Sequence, residues 1–224
     1  MQKIFIGLLI VFLNLEIGGF DISADFIGLV FIYLGLNEYP DIVSFRKAKP
    51  ITIVLFAEDL ILSVLNLALT LFPEAVSKIA EKTNLTILAA MAIPVVIVYI
   101  YQLYYITKGI GELEEKTGLD LNYQKLFGLW KKNRTLMLIS SIFATISMVF
   151  AILGWIPDQI DTELLTLAYS AISVITAIFV IMLLVIEIKQ LICIYKAKEA
   201  LDAYRPEEIA QQEHCDNEEQ VTEE

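Results

Sequence analysis

Four apolar stretches, Ile51 to Phe72, Leu85 to Ile106, Thr135 to Ile156 and Leu164 to Ile186, constrain this chain more than any other feature. Each is long enough to cross a hydrocarbon core of roughly 30 Å at about 1.5 Å per residue. Unpaired backbone is intolerable in hydrocarbon, so each stretch is expected as one helix. The composition agrees. Of 224 residues, 57% are hydrophobic and 19% charged, and the mean hydropathy is +0.67. That is more apolar surface than a single water-soluble core can hide. The expected fold is all-α: a polytopic membrane helix bundle with four long transmembrane helices plus an N-terminal helical hairpin, about six membrane segments in total.

The first 36 residues are patterned differently. An apolar run from Ile4 to Leu13 gives way to NLEIGGFDISAD, and a second run follows from Phe26 to Leu36. Gly18 and Gly19 are poor in a helix interior, and Asp21 to Asp25 supplies a turn with a ready cap. Residues 1–36 are therefore expected to form a hairpin that either crosses the membrane twice or re-enters from the cytoplasmic side. A cleaved signal peptide is the rival account, with Lys3 ahead of a short apolar run. Glu16 and Asp21 sit against it, just before the only cleavage-like site, Ile22-Ser23-Ala24. Residues 37–198 are expected to form a four-helix transmembrane bundle with amphipathic cytoplasmic loops, and residues 199–224 an acidic, disordered tail.

The basic residues set the orientation. Arg46, Lys47 and Lys49 precede the first long stretch. Lys108, Lys116, Lys125, Lys131, Lys132 and Arg134 lie between the second and third, and Lys189, Lys196, Lys198 and Arg205 follow the fourth. The alternate connections hold only Lys78 and Lys82, and none from Pro157 to Glu163. The basic connections belong inside, which places both termini in the cytoplasm of a multi-pass protein of the cell membrane. Phe127, Trp130 and the tyrosines at 99, 101, 104 and 105 are expected as an aromatic belt at that interface. The net charge of -11 does not describe the body, because residues 206–224 hold eight acids and no Lys or Arg, leaving -3 elsewhere. Without a basic stripe to neutralise phosphates, nucleic acid is not an expected partner. The lipid bilayer is, together with a second copy of the chain or another membrane protein.

Two further patterns concern ancestry. QLYYITKGIGEL from Gln102 and QLICIYKAKEAL from Gln190 match at five of twelve positions, each ending the second helix of an expected hairpin. Such parallel repeats are a known plan among transporters. At the other end, KIFIGLLIVFLN, the DFIG of residues 25–28, an arm ending YLGL and the following SFRKAKP resemble a group of uncharacterised bacterial multi-pass membrane proteins of about this length. Ala24 and Leu29 stand where that pattern carries a Pro and an aromatic residue. The resemblance covers chiefly the first fifty residues and implies the same membrane architecture, with no activity attached.

The residues able to carry chemistry are the polar ones inside apolar segments. Thr52, Asp59, Ser63, Asn66 and Thr70 recur at spacings of seven, four, three and four, which puts them on one helical face. Glu58 points roughly 100° away, toward a neighbouring helix or the hairpin. A carboxylate at this depth costs on the order of 2.5–3.5 kcal/mol unless paired, protonated or hydrated. Asp59, Glu58, Asn66 and Ser63 are thus candidates for an ion or proton pathway, and Asn14, Glu16, Asp21 and Asp25 of the hairpin are a second set. The structural alternatives are a polar seam between helices and a solvated surface turn. Glu187, near Lys189, reads as a solvated helix end.

No catalytic triad, P-loop, HExxH or paired acidic clusters is present, so the chain reads as non-enzymatic. Cys193, Cys215 and His214 do not have metal-site spacing, and no cofactor or metal is expected. Two functions remain: a small transporter or channel-like protein for a cation, proton or small amine, or a non-catalytic membrane scaffold, immunity or regulatory subunit whose acidic tail binds a partner.

Overall fold

The computed structural model describes the backbone of residues 1–13, 25–71, 73–153 and 162–222, and their side chains except at 13, 62, 65–71, 73–92, 147–153, 162–166, 168–169 and 205–222. Among these residues there are six helices and no strand: α1 (Gln2–Leu13), α2 (Asp25–Asn37), α3 (Val43–Leu71), α4 (Pro73–Thr117), α5 (Tyr123–Leu153) and α6 (Thr162–Thr222). Each helix packs on the next in sequence, and α1 also meets α6. The contacts therefore close a cycle of three hairpins, α1–α2, α3–α4 and α5–α6.

Two of these helices are long and apolar enough to cross a membrane, within Ile93–Thr117 of α4 and Ser170–Tyr204 of α6. The stretches expected to span on α3 and α5 run into side chains outside the described set. α1 and α2, with 12 and 13 residues, are about 18 and 20 Å long, each shorter than a hydrocarbon core. Their connection, which contains Asn14, Glu16 and Asp21, lies outside the described residues.

α1 and α2 run antiparallel at backbone contact. A Cβ on Gly7 would stand 2.5 Å from the Gly28 carbonyl oxygen and 2.7 Å from the Ile32 nitrogen, and one on Gly28 would stand 2.7 Å from the Gly7 oxygen. Only glycine allows this approach, the small-residue contact that brings helices together where no hydrophobic force separates helix from lipid. The open end of the hairpin is tied by charge and hydrogen bond. The amino terminus donates to Tyr39 Oη at 2.7 Å, and Lys3 meets Glu38 at 2.7 Å.

The same end of the molecule gathers the start of α3, the end of α4 and the start of α5. Glu112 of α4 accepts from both the backbone and the hydroxyl of Ser44, at 3.0 and 2.6 Å, satisfying the exposed donors that begin α3. Glu114 does the same for α5, accepting from the Leu121 and Tyr123 nitrogens at 2.8 and 3.1 Å. Gly118, at φ +70°, ends α4 in the left-handed conformation that glycine adopts without penalty. The core is continuous here, with Ile4, Leu36, Phe45, Ile106, Ile110, Leu121 and Leu126 all essentially inaccessible.

Two features depart from the sequence expectation. α3 begins at Val43 and passes through Pro50, so the basic residues 46, 47 and 49 are helical. The connection between α4 and α5 is only residues 118–122, because helix continues on both sides of it. The backbone of α6 runs on through the acidic residues 206–222. The Glu, Gln and Ala residues of that segment are strong helix formers, and it contains no glycine to break the run.

Candidate functional site

Where the packed end gives way, a cavity of about 290 Å³ opens between five of the six helices. Its walls are Val11 and Phe12 of α1, Leu29 of α2, Leu55 of α3 and Val95 of α4. Set into them are four acids and a phenol: Asp25 of α2, Glu58 and Asp59 of α3, Glu187 of α6 and Tyr99 of α4. No Lys, Arg or His lines it among the described residues. Asp25 stands in the first turn of α2, where a carboxylate complements the helix dipole, so part of its role is local. Asp59 and Asp25 both have polar or electrostatic partners.

The cavity joins the two candidate sets that the sequence kept apart, since Asp25 belongs to the hairpin and Glu58 and Asp59 to α3. Glu58 and Asp59 share it despite the 100° between them, because the space is wide enough for consecutive residues to flank it. Ser63 is half-buried and has a polar partner, but it does not line the cavity. The side chain of Asn66, and Asn14, Glu16 and Asp21 entirely, lie outside the described residues.

Two lining residues were misplaced by sequence reasoning. Glu187 is not a solvated helix end. It is half-buried in the cavity wall, some 26 Å along α6 from Ser170. Its proximity to Lys189 suggested the membrane edge, but at i and i+2 on a helix the two residues point to nearly opposite sides. Tyr99, expected in an interfacial belt, also lines the cavity. The belt itself is partly a buried cluster: Trp130 stacks on Phe127, packs against Tyr104 and donates its indole N–H to the Ile100 carbonyl at 3.3 Å. Tyr101 is the exposed member of the set.

Buried polar residues between cavity and packed end behave differently. Gln102 of α4 donates to Thr52 Oγ1 of α3 at 3.0 Å, and Asn133 of α5 donates to Gln190 Oε1 of α6 at 2.9 Å. All four are buried, and each pair ties the two helices of one hairpin. Gln102 Oε1 and Asn133 Oδ1 have no hydrogen-bond partner among the described residues. Thr52, expected on the Asp59 face, thus serves helix packing and not the cavity.

A second hollow, of about 560 Å³, lies at the packed end among Glu38, Asp41, Lys116, Asp202 and neighbouring residues. Each of its acids is ion-paired, Glu38 with Lys3, Asp41 with Lys116 and Asp202 with Lys198. It therefore differs from the cavity, whose lining holds no Lys, Arg or His among the described residues. Among the described residues, no three carboxylates, imidazoles or thiols lie close enough to share one metal ion. Compared with known protein families, curated proteins and solved structures, the chain matches none.

Proposed function

We propose that this chain is a multi-pass protein of the cell membrane, with both termini in the cytoplasm, that binds a cation, proton or small amine in the acid-lined cavity and passes it across the bilayer. One observation carries the reading: acids from α2, α3 and α6 meet in one cavity whose lining, among the described residues, contains no basic side chain. Along α2 the cavity is about 20 Å from the Glu38 end, a depth inside the hydrocarbon of a spanning bundle. Carboxylates at that depth are rare and mark ligand or proton pathways by default, whatever partners also steady them. The distribution of Lys and Arg supports the orientation.

The test is flux into liposomes loaded with a pH-sensitive dye, using purified protein with sodium, potassium or methylammonium gradients. Asp59→Asn is expected to reduce flux at least tenfold. Flux that Asp59→Asn leaves unchanged would remove this residue from the mechanism, and an absence of flux for every cation would remove the transporter class. The second reading is a membrane scaffold, immunity or regulatory subunit, favoured by the eight acids concentrated in residues 206–224. Cross-linking from that segment in cells should then capture one stable basic partner, and deleting it should abolish the capture.

A further inference from the structure

We infer that α3–α4 and α5–α6 are two copies of one helical hairpin, and that the cavity is built at their junction so that Tyr99 and Glu187 are counterpart ligand-contacting positions. The second half of this statement rests on the cation reading above. The first half does not.

The sequence match between Gln102 to Leu113 and Gln190 to Leu201 is a short one. What gives it weight is that its first residue does the same physical work in both places. Gln102 and Gln190 are both buried, and each hydrogen-bonds a buried polar residue on the helix that precedes its own, Thr52 and Asn133. A buried interhelical amide is register-specific, because it bonds only where a polar partner on the neighbouring helix faces it. Finding it at the matched position of both hairpins is not a consequence of hydropathy. The register continues beyond the glutamines: Ile106 and Ile194 are buried counterparts, as are Gly109 and Ala197. The chain between the bonded residues is 50 residues apart in one hairpin and 57 in the other. Seven extra residues are about one helical turn in each arm, which lengthens the hairpin while keeping the same faces together.

This register puts Tyr99 opposite Glu187. Each precedes its glutamine by three residues, a little under one turn, and both line the cavity. The cavity thus begins one turn beyond the two amide ties, between the copies, with α1 and α2 completing its wall. Binding at the interface of structural repeats is how many membrane carriers hold a ligand. At equivalent positions one copy offers a carboxylate and the other a phenol, so the pair sets how much negative charge the ligand meets.

Two measurements on the purified full-length chain in detergent test the two halves separately. The first is melting, followed by tryptophan fluorescence. Thr52→Val and Asn133→Leu should each lower the midpoint by about 2–6 °C. Thr52→Asn and Asn133→Thr import the other copy's pair and should stay within about 1 °C of the parent or exceed it. Thr52→Asn in particular offers an amide donor to Gln102 Oε1, the bond that Asn133 makes to Gln190. A Thr52→Asn midpoint as low as that of Thr52→Val overturns the duplication. The second measurement is methylammonium binding by calorimetry. Glu187→Tyr should weaken it about tenfold, and Tyr99→Glu/Glu187→Tyr should recover it to within about threefold. A double variant that melts like the parent but does not recover binding overturns the counterpart assignment. If the parent binds no methylammonium, the cation reading and that assignment fall together, while the duplication is still decided by melting alone.

Discussion

The packed end and the cavity lie on the same helices, a few turns apart, and handle polar groups in opposite ways. At the packed end five acids on or beside the helices are matched. Glu112 and Glu114 cap helix starts, and Glu38, Asp41 and Asp202 face lysines. Neutral polar side chains between the two regions pair across α3–α4, amide to hydroxyl, and across α5–α6, amide to amide. In the cavity, four acids surround open space with no basic residue in the lining among the described residues. Polar side chains inside apolar helices are thus of two kinds here, those that tie helices and those that line a volume. Substitution should separate them, because the first kind supports the fold and the second kind supports binding.

The largest effect belongs to the glycine contact that ties α1 to α2. Gly28→Leu would drive a side chain into the backbone of α1, with the Gly7 carbonyl and the Val11 side chain both 2.7 Å from its Cβ. Separating the hairpin should cost about 3 kcal/mol, the upper range for over-packing a close contact. The protein in detergent should then elute as an aggregated or expanded species, whereas Gly128→Leu, with nothing near its Cβ, should elute as the parent does. Indistinguishable profiles would show that the glycine contact is not what holds α1 to α2.

Next comes an amide tie. Gln190→Leu removes the acceptor for Asn133 and leaves a buried amide without a partner. The expected loss is about 1–2 kcal/mol, between the average interhelical bond in lipid and the full cost of an unsatisfied buried donor. Chemical denaturation in mixed micelles would measure it, and Asn133→Leu/Gln190→Leu should recover much of the loss by removing both partners. Failure to recover would mean that these amides have partners beyond each other.

These two effects also mark what was legible in the sequence. Hydropathy predicted an all-helical chain, and the polar spacing on α3 pointed to Asp59, because period and apolarity are local properties. The cavity was not legible as a unit. Asp25, Tyr99 and Glu187 become neighbours of Asp59 only through the way α2, α4 and α6 pack around α3. Glu187 was misread because its nearest sequence neighbour of opposite charge, Lys189, was taken as a sign of the interface. Gly28 and Gly35, seven residues apart on one face, carry a sequence signal for close helix packing, whereas the adjacent pair Gly18 and Gly19 signals a turn. The repeat was visible as letters and acquired meaning only when both glutamines proved to be buried and bonded.

A smaller effect is expected from the ion pair at the chain start. Burial alone would raise the Glu38 carboxyl, but the Lys3 hydrogen bond and the charge of the amino terminus outweigh it and hold the pKa below the ordinary value of 4.5. A carboxyl depressed in the folded state binds its proton more readily when unfolded, so its contribution is full above about pH 4.5 and is lost as pH falls below it. Stability measured from pH 6 down to 3.5 at low salt should therefore decline less steeply in Glu38→Gln than in the parent. Added salt should narrow the difference, because the pair is partly exposed. Parallel curves at low salt would show that the bridge contributes nothing to the fold.

The smallest effect is the sharpest test of the comparison. If the cavity acids serve a ligand and not the fold, Asp59→Asn and Glu187→Gln remove charge from a low-dielectric space while keeping shape and hydrogen-bonding capacity. The folded protein should not notice, with a change within about 0.5 kcal/mol in either direction and any shift tending to stabilise, since removing buried charge relieves desolvation and mutual repulsion. The same variants should lose cation flux. A loss of stability comparable to that of Gln190→Leu would place Asp59 or Glu187 among the residues that tie helices. The cavity would then be a packing defect bordered by structural acids, and the division between the two ends of the molecule would collapse.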